Sequence, residues 1–205
     1  MQAVITGDIV NSTSLEAANE KKLMKLLQDV LITYKFEFYR GDSFQAFQNN
    51  ASEALKTALL CRTAAVSLSE DKINIFTDVR ISIGIAPAKL PLKKISTAKG
   101  EAFVLSGRAF DQIAKTTKRL VIVTKNPLAN EGLAILADYI DDIFEGMTGK
   151  QATVIFGLLK GQTQQTVAGK LKKSKSTIHQ LVNSGRWAEI EKLLQQYQNI
   201  IKHLS

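Results

Sequence analysis

The chain has 205 residues, of which 45% are hydrophobic and 22% are charged, a composition typical of a folded protein with one large or two small domains. It excludes collagen-like and disordered classes, because only 3 prolines and 12 glycines are spread among regular apolar periodicities. A single cysteine excludes an internal disulfide and multi-cysteine zinc sites. The sequence has neither a membrane-spanning apolar run nor a signal-peptide pattern, so we expect a cytoplasmic protein without a membrane partner.

The first part of the chain alternates strand-like and helix-like patterns. Val4-Ile5 opens a short strand that ends at Gly7-Asp8. Thr13, followed three residues later by Glu16, predicts a capping box that starts a helix. The remaining predicted elements are a hairpin of residues 34–38 and 44–47, a helix over 51–69, a strand over 79–85, a helix over 100–115, a strand over 120–124 and a helix over 131–144.

This order of elements predicts an α+β fold, in which a ferredoxin-like sheet is covered on one face by helices. The strand at 79–85 carries apolar residues on one face and Arg80, Ser82 and Gly84 on the other. A lysine-rich loop separates this strand from the next helix, and we interpret it as a solvated connector, with triphosphate binding as the alternative. Its lysines are Lys89, Lys93, Lys94 and Lys99.

Positive charge is concentrated towards the C-terminus. Residues 1–145 hold 18 basic and 17 acidic side chains, whereas residues 146–205 hold 9 and 2. This asymmetry predicts two domains, residues 1–145 and residues 146–205, and a polyanionic partner for the second, because clustered cations release counterions from a phosphate backbone. A solvated basic surface is the alternative explanation.

Residues 163–181 contain two helical periods separated by a short turn, as in a helix-turn-helix domain. Ala168 allows the two helices to approach closely, and Ser174 is placed to cap the second. The segment resembles the bacterial helix-turn-helix pattern, except that Lys172 and Lys173 replace a glycine and an apolar residue. The resemblance implies binding to double-stranded DNA, and a protein-docking hairpin is the alternative. The predicted DNA-binding residues are Gln164, Gln165, Lys173, Ser174, Lys175, Ser176, Thr177, His179 and Gln180.

From Arg186 onward the pattern is that of one amphipathic helix with a wide apolar face. Two interpretations fit this width. The helix completes the C-terminal core, or it also pairs with a second copy of the chain, as a palindromic operator would favour.

Asp8 and Asp42 end up together if the first strand lies beside the hairpin. Paired carboxylates next to a helix N-terminus are suited to Mg²⁺ or Mn²⁺ with a nucleotide, because the carboxylates hold the cation while backbone amides face phosphate. An ordinary Gly41-Asp42 turn is the simpler explanation.

Several motifs in residues 1–125 resemble the catalytic domain of class III nucleotidyl cyclases. They are Gly7-Asp8-Ile9-Val10-Asn11-Ser12, Gly41-Asp42-Ser43-Phe44-Gln45 and Gly100-Glu101-Ala102 followed by Arg108. Together with the C-terminal segment, they make the chain more similar still to the SatD-like family of small bacterial proteins, which joins a cyclase-like domain to a helix-turn-helix. The resemblance implies architecture more than activity, since the biochemical role of that family is not established.

The cyclase resemblance implies roles for individual residues. Asp8, Asp42 and the backbone of Ile9 match the metal ligands, and Arg108 matches the arginine that a partner subunit contributes in a homodimer. Phe38 stands where cyclases have the purine-selecting lysine, and Val104 where they have the ribose-orienting asparagine. These departures argue against cyclase turnover.

The sequence therefore favours a DNA-binding transcription regulator whose degenerate cyclase-like domain dimerises and senses a nucleotide. A metal-dependent enzyme acting on a nucleoside triphosphate is the second hypothesis, and a pair of protein-docking modules is the third.

Overall fold

The computed structural model describes residues 1–39, 41–69, 77–87, 95, 98 and 100–204. The four lysines of the predicted lysine-rich loop lie outside the described residues. They are Lys89, Lys93, Lys94 and Lys99. In the described part of the chain, five strands form one sheet. They are β1 (Gln2–Val10), β2 (Lys35–Tyr39), β3 (Ser43–Gln48), β4 (Asp78–Ala86) and β5 (Leu120–Val123).

Eight α-helices accompany the sheet within the same described ranges. They are α1 (Ala17–Leu31), α2 (Ala54–Val66), α3 (Glu101–Ile113), α4 (Pro127–Glu145), α5 (Gly149–Leu159), α6 (Gln164–Leu171), α7 (Lys175–Ser184) and α8 (Trp187–Lys202). Two short 3-10 turns, Ser12–Ser14 and Ala51–Glu53, precede α1 and α2. The α+β class is confirmed.

The strand order is β2-β3-β1-β4-β5. β1 is antiparallel to both of its neighbours, β3 and β4, while β5 is parallel to β4. The predicted hairpin is confirmed as β2 and β3. β1 is longer than the predicted strand and reaches Val10, because it is paired along its length with β4. This register places Asp8 beside Ser43 on one side and Arg80 on the other.

Helices cover both faces of the sheet, and the prediction of one covered face was wrong. Ile5 and Ile83 belong to the main apolar cluster with α1 and α2, whereas Val4 and Phe47 pack with Phe103 of α3 in a second cluster. Because neighbouring residues of a strand point to opposite faces, the two clusters lie on opposite sides. Gly84 permits this contact, since a Cβ there would lie 2.3 Å from the carbonyl oxygen of Ala102.

The strand residues that pack on α3 include hydroxyl groups as well as apolar side chains, and the sequence pattern therefore predicted that this face is exposed. The Ser106 hydroxyl of α3 lies 2.8 Å from the hydroxyl of Thr6 and 2.9 Å from that of Ser82. All three side chains are buried. A strand face that carries hydroxyl groups is therefore covered by a helix whose own hydroxyl bonds to them.

The predicted capping box at Thr13 and Glu16 was also wrong. α1 begins at Ala17, its N-cap residue is Glu16, and no side chain caps it. Leu15 separates the 3-10 turn from the helix with an extended backbone, at φ −78° and ψ 137°, and packs against the main apolar cluster. A half-buried leucine with an extended backbone therefore stands where the local pattern predicted a continuous helix.

The predicted boundary near residue 146 lies in the turn between α4 and α5, and apolar packing continues across it. α5 packs on α2, and a Cβ on Gly149 would lie 2.5 Å from the carbonyl oxygen of Ser69. α8 packs on α4 and on the turn Ala51–Glu53. The apolar face of α8 thus contributes to a core shared with the sheet, while its pairing with a second copy stays a prediction.

Candidate nucleic-acid interface and carboxylate site

α6 and α7 form two short helices joined by a tight turn, and both have N-terminal caps, of which the sequence analysis predicted the one at Ser174. The Thr163 hydroxyl accepts a hydrogen bond from the Thr166 backbone N–H at 3.1 Å. The Ser174 hydroxyl accepts one from the Thr177 N–H at 3.0 Å. Each cap satisfies an N–H group that the first turn of a helix otherwise leaves without a partner.

The turn between the helices adopts a left-handed conformation at Lys172, with φ 52°. A glycine is favoured at such a position, and a side chain there costs about 1 kcal/mol. The strain is offset by hydrogen bonds from the Lys172 and Lys173 N–H groups to the carbonyl oxygens of Gly169 and Ala168, at 3.3 and 3.0 Å. The departure from the helix-turn-helix pattern therefore leaves the turn intact.

The inner faces of the two helices are apolar. Val167 and Ala168 of α6 and Ile178 and Val182 of α7 are buried in the main cluster. α5 packs against both helices, and the Gln151 amide donates to the Ser184 hydroxyl at 3.0 Å. α8 also packs on α7, so that three helices, α5, α6 and α8, hold α7 with its opposite side towards solvent.

The predicted DNA-binding residues lie on the outer surface of this unit, at the start of α6, in the turn and along α7. Thr177 is half-buried, and the others are exposed. The exposed ones are Gln164, Gln165, Lys173, Ser174, Lys175, Ser176, His179 and Gln180. The basic side chains of Lys170 and Lys172 are exposed beside them.

The sequence analysis missed Asn183, which lies on the exposed side of α7. Its amide nitrogen is 3.1 Å from Nε2 of His179. The spacing of four residues on a helix was the available signal, because side chains at i and i+4 lie on the same face.

The carboxylates of Asp8 and Asp42 meet at the end of the sheet, as predicted. Asp8 lies near the end of β1, and Asp42 lies in the turn before β3. The Ser43 hydroxyl is 2.7 Å from an oxygen of Asp8 and 3.4 Å from an oxygen of Asp42. The Ser12 hydroxyl donates to the other oxygen of Asp42 at 2.8 Å, and the Ile9 N–H donates to the Asp42 carbonyl oxygen at 3.2 Å.

The pKa of Asp8 is raised from its usual value. Partial burial is the main cause and the nearby charge of Asp42 adds to it, while the hydrogen bond from Ser43 and the charge of Arg80 act in the opposite direction. Two carboxylates that repel one another and are partly shielded from water gain from a bound cation. The pair therefore fits a divalent ion held by Asp8 and Asp42, and within the described residues no third histidine, cysteine or acid joins them.

We expect Asp8→Asn to stabilise the folded protein at pH 7. The folded state binds a proton at Asp8 more readily than the unfolded state, so the ionised carboxylate lowers stability once the pH exceeds its folded pKa. This penalty vanishes below about pH 4, where the unfolded chain is protonated as well. Thermal melts from pH 3 to pH 8 should show a gain in Tm that grows with pH.

Asp29→Asn on α1 is the matched control, because Asp29 is exposed. We expect it to change stability by less than about 0.5 kcal/mol. A Tm for Asp8→Asn that is equal to or below the wild-type value at pH 7 would contradict the raised pKa.

Within the described residues, no hydrogen bond or ion pair joins the remaining residues implied by the cyclase resemblance to the two carboxylates. Arg108 is exposed on α3 and forms no hydrogen bond or ion pair with another described residue. Val104 is 47% exposed on the same helix. Phe38 packs against Phe44 at 5.9 Å between ring centroids, so an apolar contact occupies the position where cyclases have a lysine.

No family model matches this chain, and no curated protein matches it significantly. Within the described ranges, every helix falls short of the length and apolarity that a membrane span requires.

Proposed function

We propose that this protein is a DNA-binding transcription regulator whose helix α7 enters the major groove of double-stranded DNA. The observation that carries the proposal is the α6–α7 unit, in which two capped helices cross at a tight turn and expose the N-terminal half of the second. In helix-turn-helix proteins the N-terminal residues of the second helix contact base edges, while the first helix crosses the backbone.

The charge around this unit supports the same proposal. Lys170, Lys172, Lys173 and Lys175 are all exposed near the turn, and no acidic residue occurs between Gly146 and Ala188. Clustered cations of this kind bind phosphates and release counterions, so affinity should fall steeply with salt. A protein-docking hairpin would have no need of a surface free of acidic groups.

The combined variant Lys175→Glu and His179→Ala should abolish specific DNA binding. Lys175 is in the first turn of α7, where a carboxylate would repel phosphate, and His179 is one turn further along the same exposed face. The measurement is a shift assay at several fixed salt concentrations, on the tightest duplex recovered by selection from a random library.

Lys192→Glu combined with Gln195→Ala is the matched control, since it makes the same changes of charge and polarity on exposed positions of α8. We expect it to retain specific binding. Equal affinity of the α7 variant and the wild-type protein would refute the DNA-binding proposal, as would a wild-type chain that selects no sequence.

For residues 1–145 we propose a nucleotide-sensing role in a homodimer, with a fold of the ferredoxin-like, cyclase-like type. The strand order β2-β3-β1-β4 supports the fold, because α1 and α2 each connect strands with one other strand between them, as in a split β-α-β arrangement. The closeness of the two carboxylates supports the site, since the Ser43 hydroxyl donates to Asp8 at 2.7 Å and lies 3.4 Å from Asp42. Asp8 and Asp42 would hold Mg²⁺ or Mn²⁺, which would bind the phosphates.

Such a ligand alters DNA affinity only if it binds two arrangements of the protein with different free energies. The shared core offers a physical connection, because α8 packs both on α7 and on the turn Ala51–Glu53 that leads into α2.

A thermal-shift screen tests the sensing role. ATP, GTP and cyclic nucleotides with Mn²⁺ should raise the Tm of the wild-type protein by mass action, and Asp42→Ala should lose this rise. Asp111→Ala, an exposed acid on α3, should retain it. A product formed from a triphosphate would favour the enzyme hypothesis instead. The absence of a Tm shift with every nucleotide would contradict both the sensing role and the enzyme hypothesis.

A further inference from the structure

One side of α4 carries a stripe of exposed apolar side chains, which we call the α4 stripe. Leu128 is 76% exposed, Ile135 73% and Tyr139 41%. They are seven and four residues apart, so with about 3.6 residues per turn they lie above one another on the helix surface. Seven large apolar side chains are exposed among the described residues, and three of them form this stripe. Exposed apolar area concentrated in this way is typical of a surface that a partner covers.

A glycine lies beside the stripe, in the interior of α4. Gly132 weakens the helix relative to alanine, so its presence needs a reason. A Cβ on Gly132 would meet only Ile200 of α8, at 3.7 Å, which is an ordinary van der Waals distance. Packing within the chain therefore does not require this glycine. It leaves a notch on the helix surface, three residues before Ile135.

The charges of α4 are distributed against the dipole of the helix. Its first turn has no acidic residue and its last turn has no basic one. Asp138, Asp142 and Glu145 are exposed in its C-terminal half, and Lys125 is exposed just before its start. This distribution is unfavourable for a single helix, because the N-terminus attracts anions and the C-terminus attracts cations. An identical helix packed antiparallel supplies what each end lacks.

We propose that the α4 stripe is the dimer interface of this protein and that α4 of a second copy packs on it in an antiparallel direction. The register that places Leu128 opposite Tyr139 of the partner subunit also places Ile135 opposite Gly132 of the partner subunit. The apolar side chains then cover one another, and the notch receives the isoleucine. By two-fold symmetry each of these contacts forms twice.

The charges support the same register. Three residues further out, it brings Lys125 towards Asp142 of the partner subunit. Both side chains already form an ion pair within the chain, with Glu101 and Arg186, yet they are 65% and 64% exposed. Charges placed symmetrically about the centre of the stripe favour a second copy over another protein, because a two-fold interface is self-complementary. The inference rests on the proposed homodimer and adds the surface that forms it.

The test compares Ile135→Glu with Ile32→Glu by sedimentation equilibrium of the full chain. The wild-type protein should sediment at twice the chain mass of 22.6 kDa. Ile135→Glu should raise the Kd of the dimer by at least about 100-fold, because each dimer loses two buried isoleucines. Ile32→Glu is the matched control, since Ile32 is 71% exposed at the end of α1 and should leave the Kd unchanged. Circular dichroism should show that both variants are folded.

An exchange of charges tests the register. Lys125→Glu alone should raise the Kd by about 2- to 30-fold, because it places two acidic groups together at each of two symmetric contacts. Adding Asp142→Lys should restore the wild-type Kd. Adding Asp111→Lys instead is the control, because it makes the same change of charge at an exposed position of α3. This second combination should not restore the Kd.

The outcomes separate the interface from the proposed function. An unchanged dimer Kd for Ile135→Glu would show that another surface pairs the two copies, so the α4 stripe would be wrong and the homodimer would stand. Failure of Asp142→Lys to restore the Kd would refute the antiparallel register. A wild-type protein that is monomeric at every concentration would refute the interface and the homodimer together. DNA binding is decided independently of these results by the shift assay.

Discussion

Replacing Arg62 by methionine is expected to lower the free energy of unfolding by about 3–5 kcal/mol. Arg62 lies within α2 and is 1% exposed, and its partner Asp78 is fully buried. The guanidinium donates to both oxygens of Asp78, at 3.1 and 2.7 Å, and to Asp141 at 2.6 Å. Methionine fills a similar volume but leaves the carboxylate of Asp78 buried without a counterion.

The contacts around Arg62 explain why the effect should be large. Its guanidinium lies 4.2 Å from the centre of the Phe144 ring. Asp141 uses its other oxygen to accept hydrogen bonds from the N–H groups of Arg119 and Leu120, at 2.8 and 3.2 Å. The loss of one side chain therefore affects α2, α4, β4 and β5 together.

Urea denaturation measures this prediction, and Lys118→Met provides the control. Lys118 pairs with Asp138 at 2.5 Å, but the two side chains are 49% and 55% exposed. A surface pair of this kind contributes less than about 1 kcal/mol. A loss below about 1 kcal/mol for Arg62→Met would contradict the description of Asp78 as a buried charge that depends on Arg62.

Tyr197→Ala should cost a similar amount, about 3–5 kcal/mol. Tyr197 is fully buried in the main apolar cluster, and its hydroxyl donates to the Ala51 carbonyl oxygen at 2.6 Å. The substitution removes a large side chain and leaves a cavity between α8 and the sheet-containing part of the chain. Urea denaturation monitored by circular dichroism and by the fluorescence of Trp187 would measure the loss.

Tyr197→Phe separates the packing from the hydrogen bond. It keeps the ring and removes one of two donors to the Ala51 carbonyl oxygen, which still accepts from the Ala54 N–H, so it should cost only about 0.5–1.5 kcal/mol. Leu128→Ala is the control, because this side chain is 76% exposed on α4 and its loss should change stability by less than about 0.5 kcal/mol. Equal stabilities for Tyr197→Ala and the wild-type protein would show that α8 is not held by this contact.

Features that depend on neighbours within four residues could be predicted from the sequence. Ser174 caps α7 and Thr163 caps α6, because each hydroxyl meets an N–H three residues later. The hairpin of β2 and β3 follows from an alternating pattern around a Gly-Asp turn. The concentration of lysines and the absence of acids from Gly146 to Ala188 are properties of the sequence alone.

Local rules failed where a distant contact outweighed them. A capping box at Thr13 and Glu16 satisfies the local pattern, yet Leu15 between them is extended and packs against the main apolar cluster. Arg62 lies in a mostly apolar helix, and nothing within four residues indicates its partners, which are 16 and 79 residues away. Arg62 meets Asp78 and Asp141 only because the fold places β4 and α4 beside α2.

The sequence by itself determined the α+β class, the capped helices of the α6–α7 unit and the basic surface around them, because these depend on residue types and short spacings. Only the tertiary structure decided that α3 covers the second face of the sheet and that Ser43 joins Asp8 to Asp42. It also decided that α8 packs against Ala51, 146 residues before Tyr197. Such contacts depend on strand pairing and close packing between distant segments, which no local pattern encodes.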